Sequence, residues 1–244
     1  MGMPITVEVI DETADQTLLD RIFAYFHHID QTFSTYKPDS EISRINRGEL
    51  SEPEWSEEMK TVFALAAQTK KETHGYFEIK TPAGPYDPSG LVKGWAIQHA
   101  AQILSAAGYQ NFFVEAGGDI QVRGHNAAGQ PWAIGIKNPF RQTEIVKTIY
   151  LQTEGVATSG TYLRGQHVYN PLKPSEPLIE VVSLTVIGPN VYEADRFATA
   201  AFAMGQAGIA FIENWPGLEA YQIDPQGQAL MTSGFERYTI KHHD

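Results

Sequence analysis

Residues 81–108 read TPAGPYDPSGLVKGWAIQHAAQILSAAG, and the change of character after Gly90 sets the frame for the rest of the chain. The first ten of these residues hold three prolines and two glycines, a composition for a shaped loop and not for a regular element. From Leu91 to Gly108 the pattern is helical. A loop that runs straight into a helix points unpaired N–H groups and a partial positive charge at whatever lies in front of it, which favours anions, phosphate among them.

Upstream, residues 3–10 alternate as a strand does, and Asp15 or Thr17 is placed to cap a helix. That helix carries Leu18, Leu19, Ile22, Phe23, Phe26 and Ile29 as its expected core stripe. A second helix is expected from Ser56 to about Thr73, with Met59, Val62, Phe63 and Ala66 at helical spacing and Gly75 as its stop. Downstream, the runs 112–122, 132–136, 148–153 and 181–187 suggest a sizeable sheet. Glu193 to Met204 reads as helix, and Tyr221 to Ile240 contains two strands around the turn DPQG. Helices and strands mix without strict βαβ alternation, so the fold class is α+β. No repeat or linker divides residues 1–244, and a single domain is expected.

The chain has 244 residues, 42% of them hydrophobic, enough to bury a substantial core. Its 18 Lys and Arg against 29 Asp and Glu leave a net charge of −11, which opposes binding a polyphosphate backbone, so nucleic acid is not an expected partner. No run approaches the roughly 20 apolar residues of a spanning helix, and the start, MGMPITVEVID, lacks the pattern of a secretory signal. A cytoplasmic protein is expected. With no cysteine, disulfides and thiolate chemistry are excluded, and oxygen and nitrogen groups must do the work.

Neither GxGxxG nor GxxxxGK[ST] occurs, so the usual dinucleotide and nucleotide loops are absent. Ser89 and Lys93 are one residue too far apart for an SxxK dyad, and no GxSxG elbow exists. Adjacent His27 and His28 lie on neighbouring faces of a helix and cannot converge on one metal. Five blocks rich in small and polar residues remain: FSTYKPDSEISRIN (33–46), GYFEIKTPAGPYDPSGLVKG (75–94), VEAGGDIQVRG (114–124), GVATSGTYLRGQHVYNP (155–171) and VIGPNVYEADRFATAAFAMG (186–205).

In the second block Asp87, Gly90 and Lys93 follow one another at intervals of three. Asp87 is suited to a base or sugar, the Gly90 carbonyl to a metal and Lys93 to a phosphate, although a turn aspartate and a solvated lysine fit the pattern equally. Gly117 and Gly118 interrupt a strand, which usually marks a bulge or a close approach of backbone to a ligand. His167 has the chemistry of a general base, yet a lone histidine is more often structural. Asp195 and Thr199, four apart on a helix, put their oxygens on one face where they can share a hard cation.

Taken in order, the blocks resemble the FAD:protein FMN transferases of the ApbE family over nearly the whole chain. Family members show MGT-P, FSTYRPDSEISRFN, GAFDP, DLGGIAKGYAVD, NAGGDI, TSG with HIIDP, and SVTV with ADALAT. Here the matching stretches are MGMP, FSTYKPDSEISRIN, GYFEI, DPSGLVKGWAIQ, EAGGDI, TSG with HVYNP, and SLTV with ADRFAT.

The resemblance implies an ApbE-like mixed sheet with flanking helices and an FAD site in a cleft between two intimately joined halves. It implies that Tyr36, Gly75, Tyr76 and Phe77 line the FAD site, that Asp87 holds the adenosine side and that Lys93 holds the phosphates. It further implies Mg²⁺ on the Gly90 carbonyl, the Asp195 carboxylate and the Thr199 hydroxyl, with His167 near the reacting phosphate. The implied reaction is protein flavinylation: an acceptor Thr or Ser hydroxyl attacks the FMN phosphorus of FAD and AMP leaves. His167, Lys93 and Asp195 would be its catalytic groups, and the acceptor a flavoprotein with an FMN-binding domain, the enzyme itself a monomer or homodimer.

Several positions depart from the family pattern. Glu78 replaces the GAFDP aspartate, Asn170 replaces the HIIDP aspartate, and Val92 replaces the alanine before Lys93. The region between GYFEI and DPSG is shorter than usual, and the lipoprotein signal of the family is not seen, which turns the expectation toward an intracellular acceptor flavoprotein or none. A Mg²⁺-dependent FAD pyrophosphatase and a non-catalytic FAD-binding protein remain as alternative readings of the same residues.

Overall fold

The computed structural model describes residues 2–11, 15–141, 143–161 and 168–240. Strand β1 (Ile5–Val9) leads to helix α1 (Gln16–Phe33), where Asp15 is the cap and accepts the Thr17 N–H at 3.0 Å. Leu18, Ile22, Phe26 and Ile29 are buried as expected, but Leu19 is only partly buried and Phe23 is 45% exposed. At 100° per residue Phe23 lies about 100° round from the middle of the buried stripe, beyond the arc that a surface helix covers.

A short helix α2 (Glu41–Asn46), capped by Ser40, follows. Helix α3 (Glu57–Glu72) begins at Ser56, whose hydroxyl oxygen accepts the Met59 N–H. Its end is the left-handed pair His74 and Gly75, with φ of 52° and 88°, and the Gly75 N–H returns to the Lys70 carbonyl at 2.8 Å. That reversal aims residues 76–78 back along the molecule. Helix α4 (Ser89–Ala106) is apolar round most of its girth, and Leu91, Ile97, Ala100 and Leu104 are fully buried. Such a helix belongs inside, and α4 packs among α1, α3 and the sheet.

The chain then enters β2 (Phe112–Ala116) and β3 (Asp119–Arg123). Where a bulge or a close approach of backbone to a ligand is expected, no bulge forms: Ala116 pairs with Asp119 across Gly117 and Gly118, whose φ values of 60° and 96° suit a two-residue type I′ turn. Next come β4 (Trp132–Lys137), β5 (Ile145–Leu151), β6 (Gly155–Gly160) and β7 (Ser183–Gly188). They are followed by α5 (Val191–Ala203), α6 (Ala207–Glu213), β8 (Glu219–Ile223) and β9 (Ala229–Met231). Strand β6 was not among the runs expected from periodicity, because GVATSG offers no large apolar residue to mark it.

The principal sheet runs β1-β2-β3-β6-β7-β8-β9, with every pairing antiparallel where a mixed sheet was expected. The fold class is α+β, a large antiparallel sheet with flanking helices. One face carries the β4–β5 hairpin through Trp132, Ile134, Ile149 and Leu151 against Ile120, Val156 and Ile223. The other face carries α5 and α6 through Phe197, Ala198, Phe202 and Ile212 against Ala157, Leu184 and Val186. Among the described residues no helix is long and apolar enough to cross a membrane.

Candidate functional site

A cavity of about 190 Å³ opens where the start of α4 meets α5, the β2–β3 turn and the end of β6. Tyr76, Phe77, Glu78 and Thr81 form one wall, and Val168, Tyr169 and Pro171 form another. Gly90, Lys93, Asp195 and Thr199 form its floor with Thr158 and Ser159. A second cavity of about 370 Å³ is lined by Met3, Ile29, Phe33, Tyr36 and Val92. The two share Asp87, Ser89 and Lys93, so one extended ligand lying across the start of α4 would occupy both.

The floor exists because α4 and α5 touch. The Gly94 N–H, which by position would serve the Gly90 carbonyl within the helix, donates to Asp195 Oδ2 at 2.7 Å. The Thr199 hydroxyl, one turn along α5, donates to the Gly90 carbonyl oxygen at 3.3 Å. A carboxylate, a carbonyl and a hydroxyl contributed by two helices are thereby gathered on the cavity wall. These are hard oxygen donors, few in number, and they leave coordination positions for water and phosphate oxygens, which is the usual way of holding Mg²⁺.

The electrostatics favour a cation at this point. Asp195 is only 3% exposed. Burial pushes its carboxyl well above the usual carboxylate range, Lys93 pulls it back, and neighbouring Asp119 pushes it up again. The Lys93 ammonium lies 3.4 Å from Asp195 Oδ1 and is in ion-pair contact with Asp119 Oδ2.

The other expected site residues are distributed as follows. Tyr76 and Phe77 line the first cavity, Tyr36 lines the second and is 87% exposed, and Asp87 lies between the two. Asp87 Oδ1 accepts the Ser89 N–H at 3.0 Å, and the Pro88 carbonyl accepts the N–H groups of Leu91 and Val92. The start of α4 therefore offers an anion fewer free amides than its sequence suggests, and among the described residues Lys93 is the cation that lines the cavity. Gly75 is not among the lining residues; a Cβ there would face Leu172 Cδ2 at 3.2 Å, so its part is the turn that places Tyr76 and Phe77. His167 lies outside the described residues.

Of the departures, Glu78 lines the cavity but is engaged by Lys70 and by the Lys80 N–H. Asn170 shapes a turn, its Oδ1 accepting the Leu172 N–H at 2.9 Å. Two residues were not singled out from sequence. Tyr169 lines the cavity and donates its hydroxyl to the Lys80 carbonyl at 3.2 Å, joining the two walls. Asp119 is the partner of Lys93; its signal was an acidic residue opening a strand of otherwise buried neighbours, a place where an unpaired charge is costly.

A sequence model described as the ApbE family matches residues 1–83 and 80–222. The FAD:protein FMN transferase of Klebsiella pneumoniae (strain 342) is 24% identical, over 93% of this chain and 83% of that protein. Among solved structures, the flavin transferase ApbE from Vibrio cholerae superposes with a TM-score of 0.85 at 26% identity, over 98% of this chain and 96% of that one. The ApbE protein from Thermotoga maritima superposes with a TM-score of 0.86 at 23% identity, over 98% and 97% of the two chains.

Proposed function

Because the chain belongs to the ApbE family, we propose that it is an FAD:protein FMN transferase whose phosphoryl centre lies over Gly90, Lys93, Asp195 and Thr199. FMN transfer from FAD is the activity carried by the relatives, and the finer assignments rest on the site. The observation that carries them is the meeting of a buried carboxylate, Asp195, with the Gly90 carbonyl and the Thr199 hydroxyl beside Lys93 on one cavity wall.

FAD would lie across the start of α4, with its pyrophosphate at the shared residues and its two ends in the two cavities. Tyr76 and Phe77 supply apolar and aromatic wall, Tyr36 supplies an exposed ring at the second cavity, and Asp87 supplies an acceptor for the adenosine half. Asp195, the Gly90 carbonyl and Thr199 would hold Mg²⁺, which when bound neutralises charge on the pyrophosphate. Lys93 adds a second positive charge that stays in place as charge moves onto the leaving AMP.

In the reaction a Thr or Ser hydroxyl of the acceptor forms a bond to the FMN phosphorus. The bond from that phosphorus to the bridging oxygen breaks, and AMP departs with the electron pair. His167 is assigned the hydroxyl proton. The acceptor is proposed to be a flavoprotein with an FMN-binding domain, in the cytoplasm.

Purified protein incubated with FAD and Mg²⁺, with and without an acceptor domain, tests this by AMP release and protein-bound flavin fluorescence. AMP formed only with acceptor is the expected result. AMP formed equally without acceptor would make the protein a pyrophosphatase, and none under either condition would reduce it to an FAD-binding protein.

A further inference from the structure

Among the described residues Lys93 meets two carboxylates, and unequally: Asp119 is in direct ion-pair contact, and Asp195 Oδ1 is 3.4 Å away. Both carboxylates are almost wholly buried, Asp119 at 1% exposure and Asp195 at 3%. Among the described residues Lys93 is the ammonium set between these two buried carboxylates, and a bound cation would offset the negative charge left over when both are ionised. Asp119 faces Lys93 from the sheet side, and Asp195 faces it from α5, where the Gly94 N–H holds Oδ2 at 2.7 Å. Asp119 opens β3 directly across the two-glycine turn from Ala116, and its Oδ1 accepts the Thr158 N–H of β6 at 3.2 Å. The lysine, by contrast, is a point charge on a flexible four-carbon stem and settles wherever the strongest anion holds it.

We propose that Asp119 is a positioning residue that holds the Lys93 ammonium on the sheet side of the cavity, so that Asp195 remains available to a divalent cation. The inference rests on the reading of Asp195 as the Mg²⁺ ligand. Without the Asp119 charge, the Asp195 carboxylate at 3.4 Å draws Lys93 toward itself. A cation arriving at Asp195 must then displace a like charge, and the lysine is drawn off the place where it meets the pyrophosphate.

Asp119→Asn keeps an acceptor for the Thr158 N–H and nearly the same volume while removing the charge. Calorimetric titration of the FAD-free protein with Mg²⁺ alone should show affinity weakened by about tenfold, equivalent to about 1.4 kcal/mol. Adding Lys93→Gln removes the competing ammonium and should restore Mg²⁺ affinity to within about threefold of the parent, a rescue that a merely structural defect would not allow. Should Asp119→Asn fail to melt cooperatively, Asp119→Glu, which keeps the charge, is expected to bind Mg²⁺ like the parent, and a folded Asp119→Glu that does not would overturn the inference. An Asp119→Asn protein that binds Mg²⁺ as the parent does, or a loss that persists in the double variant, overturns it while leaving the metal site intact. A parent protein that binds no Mg²⁺ removes the metal site and this inference together.

Discussion

The Gly94 N–H of α4 donates to Asp195 Oδ2 of α5 at 2.7 Å, at a crossing so close that a Cβ on residue 94 would come within 2.6 Å of the Asp195 Cβ and 2.7 Å of the Val191 carbonyl oxygen. One hydrogen bond thus orients the carboxylate, and one missing methyl group lets it approach.

Gly94→Ala is expected to force the two helices apart, because one of the clashing atoms is backbone and has no rotamer to escape into. Overpacking of this kind costs about 1–3 kcal/mol, read as a lowered urea midpoint, and the displaced Asp195 should weaken Mg²⁺ binding in the same protein. A variant as stable as its parent would contradict the close approach.

Asp195→Ala should abolish Mg²⁺-dependent AMP release from FAD. Thr199→Val keeps the shape of the side chain and removes only the hydroxyl, so a smaller effect is expected, about a tenfold rise in the Mg²⁺ concentration for half-maximal rate. Unchanged AMP release by Asp195→Ala refutes the metal assignment.

Arg196 follows Asp195 in sequence but faces α3, donating to Glu72, to Glu193 and to the Thr69 hydroxyl, with its guanidinium 4.2 Å from the centre of the Phe197 ring. It is 4% exposed, whereas its two carboxylate partners remain partly in water. Arg196→Ala should therefore cost about 2–3 kcal/mol, at or below the low end for a broken buried pair, because the carboxylates can rehydrate. Arg196→Lys should recover little, having no planar fork to span two partners. Chemical denaturation distinguishes these outcomes.

Acid should loosen the same region. Burial pushes Glu72 and Glu78 upward, but hydrogen bonds from Arg196 and Gln68 to the first, and from Lys70 and the Lys80 N–H to the second, outweigh it and leave both below the ordinary glutamate value. A carboxylate whose folded-state value is depressed stabilises the fold above its unfolded value, and that stability is lost as pH falls through the folded-state value. The midpoint of thermal unfolding should drop on acidification below about pH 4.5, and Glu72→Gln should flatten that drop. An equally steep decline in the variant would assign acid sensitivity elsewhere.

Much of the scaffold was legible because it is local. Helical spacing located α1, α3, α4 and α5, and Asp15 and Ser56 marked two of their beginnings. The four-residue interval of Asp195 and Thr199 put their oxygens on one helix face before any packing was known. Phe23 falls outside the buried stripe because it sits at the edge of the apolar arc, and β6 is not legible because a strand of small residues carries no apolar alternation.

The sequence by itself determined which groups are candidates for the chemistry: oxygen donors at Gly90, Asp195 and Thr199, a lysine at position 93, and no thiol anywhere. Only the tertiary structure decided how they are arranged. Gly117 and Gly118 form a hairpin turn instead of a bulge because β2 and β3 pair across them, and that pairing carries Asp119 to a lysine 26 positions earlier. Likewise the Asp195 carboxylate finds the Gly94 N–H 101 positions away, where two helices touch. Periodicity reports the faces of single elements, whereas ion pairs and metal sites are set by distances between elements, which only the packed chain defines.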